Sequence, residues 1–129
     1  MTARVLLVGQ VTAPAVADCC ECLRRHGFET VAVQPERGAV AARDVRPHVV
    51  IVDVPSGCGD ARRLKADAAT ANIPVVAMGE ATRKEIQMGA DARCDAFVSK
   101  PCIAEELVAC VKALIHDAAR RAAPHRTDA

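Results

Sequence analysis

The chain has 129 residues, 51% of them apolar, with 17 Lys and Arg against 16 Asp and Glu and a formal net charge of +1. That length suits one domain with a real core, that apolar share excludes a disordered chain, and that balance gives no bulk attraction to nucleic acid or a membrane surface. No apolar run approaches the roughly 20 residues of a membrane span, and the N-terminus runs straight into a strand-like segment without a signal-peptide pattern, so a cytoplasmic location is expected.

Five strand-like runs alternate with five helix-like ones. Val5-Leu6-Leu7-Val8 reads as the first strand. Pro14 suits a first helical position, and the helix is expected over residues 14–26, with Gly27 as its stop. The second strand is expected over residues 28–33. Pro35 is expected to open a short Ala-rich helix that ends before Pro47. Val49-Val50-Ile51-Val52 forms the third strand, with Asp53 at its tip. Asp60 is the expected cap of a third helix reaching Ala69. The fourth strand is Ile73-Pro74-Val75-Val76-Ala77-Met78, ending in Gly79. A fourth helix is expected over residues 81–92 and a fifth strand over 95–98. The last helix starts near Cys102 and carries Ile103, Leu107, Val108, Val111, Leu114 and Ile115 at i, i+3, i+4 spacing. The domain is expected over residues 1–120, and residues 121–129 read as a frayed tail.

Strict alternation of strand and helix implies one doubly wound α/β layer sandwich. Strands that read apolar throughout are buried on both faces, as in a parallel sheet covered by helices. In such sheets ligands sit beyond the carboxyl ends of the strands. Asp53 and Lys100 close two of these runs, so an anion and a cation are placed to meet in one crevice.

Three stretches carry a family resemblance: Val49-Val50-Ile51-Val52-Asp53, Asn72-Ile73-Pro74-Val75-Val76 and Phe97-Val98-Ser99-Lys100-Pro101. In that order and spacing they resemble the receiver domain of bacterial response regulators, over about residues 3–118. The resemblance implies a flavodoxin-like fold, a five-stranded parallel sheet in order 2-1-3-4-5 with five helices, and a signalling module in two-component phosphorelay rather than an enzyme. It implies Asp53 as phosphoacceptor, Lys100 as the phosphate-contacting cation, a cis bond before Pro101, and Gly79 and Phe97 at the switch positions. It also implies a protein partner, a histidine kinase or an output protein, met on the face of the fourth helix, fifth strand and fifth helix. A homodimer through that face is compatible with it.

The same resemblance marks what this chain lacks. The family's acidic pair after the first strand is Gly9-Gln10 here, and its fourth-strand hydroxyl is Gly79. Mg²⁺ wants a compact octahedral oxygen set with one or two carboxylates, and phosphoryl transfer is mostly positioning and charge neutralisation. The expectation is therefore a stand-alone, degenerate receiver: no resident cofactor, Mg²⁺ binding lost or very weak, phosphorylation weak or absent, and action by protein–protein contact. Gly79 is expected to leave a void that draws Phe97 inward. The segment between Asp53 and Pro74 is short, so a truncated third helix is expected. A conventional regulator phosphorylated on Asp53 is the alternative, and an aspartate simply neutralised by Lys100 is the plain reading of the pair.

Seven cysteines, an odd and scattered count, argue for reduced thiols that fill the core. Cys19 and Cys22 have C-x-x-C spacing but lie beyond the first helical turn, with no second ligand pair at zinc spacing. Cys58, expected in the loop beside Asp53, and Cys102 are the candidates for a third reading, a thiol-based redox sensor. His26, His48, His116 and His125 form no ligand constellation.

Overall fold

The computed structural model describes residues 2–100 and 103–122. The chain runs β1 (Arg4–Val8), α1 (Pro14–Arg25), β2 (Glu29–Val33), α2 (Gly38–Val45), β3 (Val49–Asp53), α3 (Cys58–Ala66), β4 (Val75–Gly79), α4 (Arg83–Asp91), β5 (Ala96–Ser99) and α5 (Ala104–Ala122). All paired strands are parallel, in order β2-β1-β3-β4-β5. This is the doubly wound sheet that the alternating sequence implies.

Period-2 alternation along the strands splits the core into two layers. Val5, Leu7, Val49, Ile51, Val76 and Met78 face α1 and α5, where Val16, Leu23, Leu107 and Val111 meet them. Leu6, Val8, Val50, Val52, Val75 and Ala77 face the other side, against Ala42, Ala61 and Leu64 of α2 and α3. The central strands are buried on both faces, which is why their sequences show no polar alternation. Each buried Val, Leu or Ile stabilises the fold by about 1.5–3 kcal/mol relative to exposure, so small side chains suffice without Trp or Tyr.

Several boundaries differ from the sequence expectation. α3 starts at Cys58 behind Gly57, not at Asp60, and it ends at Ala66 rather than Ala69, so it is a nine-residue helix. Asp60 is instead a buried residue inside α3 whose carboxylate accepts from the backbone N–H groups of Glu36 (2.8 Å) and Gly38 (3.2 Å). It thereby caps α2, whose own N-cap residue, Arg37, supplies no side-chain bond. Pro35 does not open α2; it lies in the turn before it, where Glu36 has φ 79°. β4 begins at Val75, because the Pro74 carbonyl accepts from Val50 while Pro74 has no N–H to give. α4 begins at Arg83, after Thr82. α5 begins at Ala104 and runs to Ala122. The Val54–Pro55 peptide is cis, a feature the sequence reading did not include. The expected cis bond at Pro101, the thiol of Cys102 and the tail beyond residue 122 lie outside the described residues.

Candidate functional site

The carboxyl ends of β1, β3, β4 and β5 converge on one crevice. Asp53 is the last residue of β3, and the chain turns back at once, with Gly57 N donating to Asp53 O at 2.5 Å. Lys100 follows β5, held by its N–H to the Gly79 carbonyl (2.8 Å). Parallel registry therefore brings an anion and a cation from two non-adjacent strands together, as the strand tips implied. The Lys100 ammonium forms an ion pair with Asp53 Oδ1. That oxygen is shut off from solvent and meets no regular hydrogen-bond donor among the described residues, so the ammonium is what balances it. A half-buried pair of this kind is costly to break from one side only, because the remaining charge is left desolvated.

Gly9 and Gln10 occupy the tip of β1. A Cβ placed on Gly9 would lie 3.1 Å from the Asp53 Cβ, so position 9 faces Asp53 directly, and here it contributes no side chain. Gln10 is exposed. Among the described residues no three His, Cys, Asp or Glu side chains are grouped closely enough to hold a metal ion. At the tip of β3 the Asp53 carboxylate is already paired with an ammonium, and Gly9 and Gln10 at the tip of β1 bring no carboxylate to it, whereas Mg²⁺ wants a compact oxygen set with one or two carboxylates.

The tip of β4 is occupied in an unexpected way. A Cβ on Gly79 would meet Glu85 Oε1 at 2.7 Å, Val54 Cβ at 3.1 Å and Phe97 Cζ at 3.5 Å. The expected void is not there: the Glu85 carboxylate fills it. Glu85 is held from both ends. Its N–H donates to Thr82 Oγ1 (3.2 Å), and its carboxylate accepts from Glu80 N (3.0 Å). This is a variant of the capping box, with the carboxylate reaching two residues beyond the cap. Sequence reasoning missed Glu85, although Thr82-x-x-Glu85 before a helix was a legible signal.

Phe97 is half-buried and packs against the core layer of α2, α3 and α4. Its ring lies over two glycines: a Cβ on Gly89 would be 3.4 Å from its Cδ2. Glu85 and Gly89, not an empty space at Gly79, form the ring's surroundings.

The thiol reading changes as well. Cys58 is not in the loop; it is the first residue of α3 and is buried, with Sγ 4.0 Å from the Met88 carbonyl. Burial pushes its thiol above the ordinary range, with nearby Arg62 opposing and Glu85 adding. Cys94 is pushed up to about 11, again chiefly by burial. Cys20 and Cys110 are raised for the same reason. These thiols lack the electropositive, exposed setting of reactive cysteines.

No family model matches the chain. It is 32% identical to the phosphate regulon transcriptional regulatory protein PhoB of Pseudomonas aeruginosa over 137 aligned positions, which cover all of this chain and 57% of PhoB. The chain thus spans about half the length of the curated relatives it matches. Among solved structures, a response regulator from Desulfuromonas acetoxidans superposes with a TM-score of 0.74 at 27% identity, covering 88% of this chain and 97% of the other. A putative response regulator from Chloroflexus aurantiacus superposes with a TM-score of 0.80 at 21% identity, covering 89% and 99%. No described helix is long and apolar enough to cross a membrane. The five-stranded order, the ion pair at the strand tips and these likenesses together identify the chain as a CheY-like response-regulator receiver domain, a module of two-component signalling.

Proposed function

We propose that this receiver is an atypical one, which signals by protein contact in a state not set by Mg²⁺-dependent phosphorylation of Asp53. The observation that carries this reading is Glu85 over Gly79. In the family a fourth-strand hydroxyl answers the phosphoryl group, but here a carboxylate tied to Glu80 N fills that place. A two-state element responds only to a ligand that binds its two states differently. With no hydroxyl at position 79 and no carboxylate at positions 9 and 10, a phosphoryl group on Asp53 has little to bind differentially. It would also face a second negative charge across the crevice.

The proposed partner is another signalling protein, a histidine kinase or an output protein, met on the α4–β5–α5 face. Ile86 on α4 and Ile103 before α5 are 46% and 54% exposed, which favours an apolar contact there. A homodimer through the same face is the alternative occupant. The likeness to the PhoB proteins supports a role in regulation, and no nucleic-acid partner is proposed for this chain. The reading includes a cytoplasmic protein with no resident cofactor and no enzymatic activity of its own.

Incubation with acetyl phosphate and Mg²⁺, followed by intact mass measurement, tests this. The reading expects no added phosphoryl group on the wild-type chain. A stoichiometric phosphoryl adduct that is absent from Asp53→Asn would overturn it in favour of a conventional regulator.

A further inference from the structure

Among the described residues, Gly89 is the only one of α4 that is buried. The helix meets the sheet there, on Ala77 of β4 and Phe97 of β5. A Cβ on Gly89 would lie 3.1 Å from the Ala77 Cβ and 3.4 Å from Phe97 Cδ2. The first distance is tighter than an ordinary contact, so α4 comes this close only because position 89 has no side chain. The far end of the same ring reaches Gly79, with Cζ 3.5 Å from where a Cβ would stand. Glu85 is four residues before Gly89, on the same face of α4, and its carboxylate takes up the space at Gly79. The Gly89 carbonyl is committed too. It accepts from Cys94 N at 3.1 Å, while Arg93 N donates to the Ala90 carbonyl at 3.0 Å. With Arg93 at φ 66°, this is a Schellman turn that ends α4 and leads into β5. Gly89 therefore holds the approach to β5 through its carbonyl and the ring of Phe97 through its bare Cα.

We propose that Gly89 is a latch, a positioning residue that fastens α4 to Phe97 so that helix and ring move as one body. Ile86, exposed on α4, belongs to that body. A partner that grips Ile86 thus acts on the ring and, through Glu85 and its bond from Glu80 N, on the tip of β4. Such coupling is reciprocal, so the size of the residue at position 89 biases the contact face whatever happens at Asp53. The latch deepens the reading of the α4–β5–α5 face as the contact face and rests on it for its part in signalling. The latch itself is tested without a partner or a phosphoryl donor, so its failure is distinct from a failure of that reading.

The test uses the full, labelled chain in solution. In the wild type, NMR should show nuclear Overhauser contacts between the Gly89 α protons and the Phe97 ring. Gly89→Ala then decides between two signs. At an ordinary helix position alanine strengthens the helix and slows exchange of its amides about fivefold. At the latch the added methyl group overpacks the contact, so the amides of residues 86–90 should exchange about tenfold faster, and the Phe97 ring resonances should shift. Removing the opposing methyl group, as Gly89→Ala with Ala77→Gly, should return both toward the values of Ala77→Gly alone. Circular dichroism checks that each variant is folded, and the wild-type contact decides the matter if one is not. Absence of that contact, slower α4 exchange in Gly89→Ala with an unshifted ring, or no recovery in the folded double variant would overturn the latch.

Discussion

Replacing Gly79 by threonine tests how the strand-tip switch is built. The new Cβ would sit 2.7 Å from Glu85 Oε1, a distance real contacts do not show, and 3.1 Å from Val54 Cβ, where a few tenths of an ångström must be given. Phe97 Cζ, at 3.5 Å, is in ordinary contact and need not move. The Glu85 carboxylate must therefore swing away, losing its bond from Glu80 N. A hydrogen bond to a charged group contributes about 1.5–3 kcal/mol, and this exposed one belongs at the low end. Removing glycine from a strand returns about 0.5–1 kcal/mol of backbone entropy. The net expectation is a destabilisation of about 0.5–1.5 kcal/mol for Gly79→Thr. Glu85→Ala should cost a similar amount, because it removes the same bond. The double variant should then fall short of the sum by about 1 kcal/mol, since the bond can be lost only once. Urea unfolding of the four proteins measures this cycle. Additivity within about 0.3 kcal/mol would refute the idea that Glu85 fills the place of the missing side chain. So would a Phe97 ring whose NMR shifts move in Gly79→Thr while those of Glu85 stay fixed.

Three further outcomes follow from the same geometry. Asp60→Ala leaves two backbone N–H groups at the start of α2 without their acceptor, and should cost about 2–4 kcal/mol by urea unfolding; a loss under about 0.5 kcal/mol would show that water replaces the carboxylate. Lys100→Ala strands the desolvated Asp53 oxygen and should destabilise the fold more than the double change Lys100→Ala with Asp53→Ala; the reverse order in thermal melts would deny the pair its role. Cys94 should alkylate slowly in the native state at pH 8. Its thiol, held at about 11 against an ordinary 9.0, carries about a hundredfold less thiolate there, and labelling of native Cys94 as fast as in urea would contradict this.

The sheet was legible in the sequence because a fully buried strand has to read apolar at every position, and the three central runs, Val5–Val8, Val49–Val52 and Val75–Met78, did. The pair of Asp53 and Lys100 was legible for a related reason: both residues interrupt an apolar run at its end, and parallel strands bring their ends to one side. The missing carboxylates at Gly9 and Gln10 and the missing hydroxyl at Gly79 could be read directly against the family pattern. What filled the space they left could not. Glu85 acts on Glu80 and Gly79 through a turn whose path only the fold defines, even though its bond to Thr82 is local. Asp60 looked like a cap for its own helix, since an acidic residue near a helix start usually is. It caps α2 instead, across 22 and 24 residues of sequence, and no local pattern encodes that. α3 began two residues early because Gly57 can start a helix without a side-chain bond. Cys58 was thereby carried from an accessible loop into the core, and its expected reactivity went with it.

The central claim is that the strand-tip crevice does not work as a Mg²⁺-dependent phosphoryl switch. An NMR titration of the labelled chain with Mg²⁺ and then beryllofluoride, a phosphoryl mimic, measures this at the atoms concerned. The account predicts that the amides of Gly9, Asp53 and Gly79 and the ring of Phe97 stay in place through millimolar Mg²⁺ and on addition of the mimic. Saturable shifts of Gly9 and Asp53 at low millimolar Mg²⁺, followed by movement of Gly79 and Phe97 with beryllofluoride, would contradict it and make this an ordinary receiver.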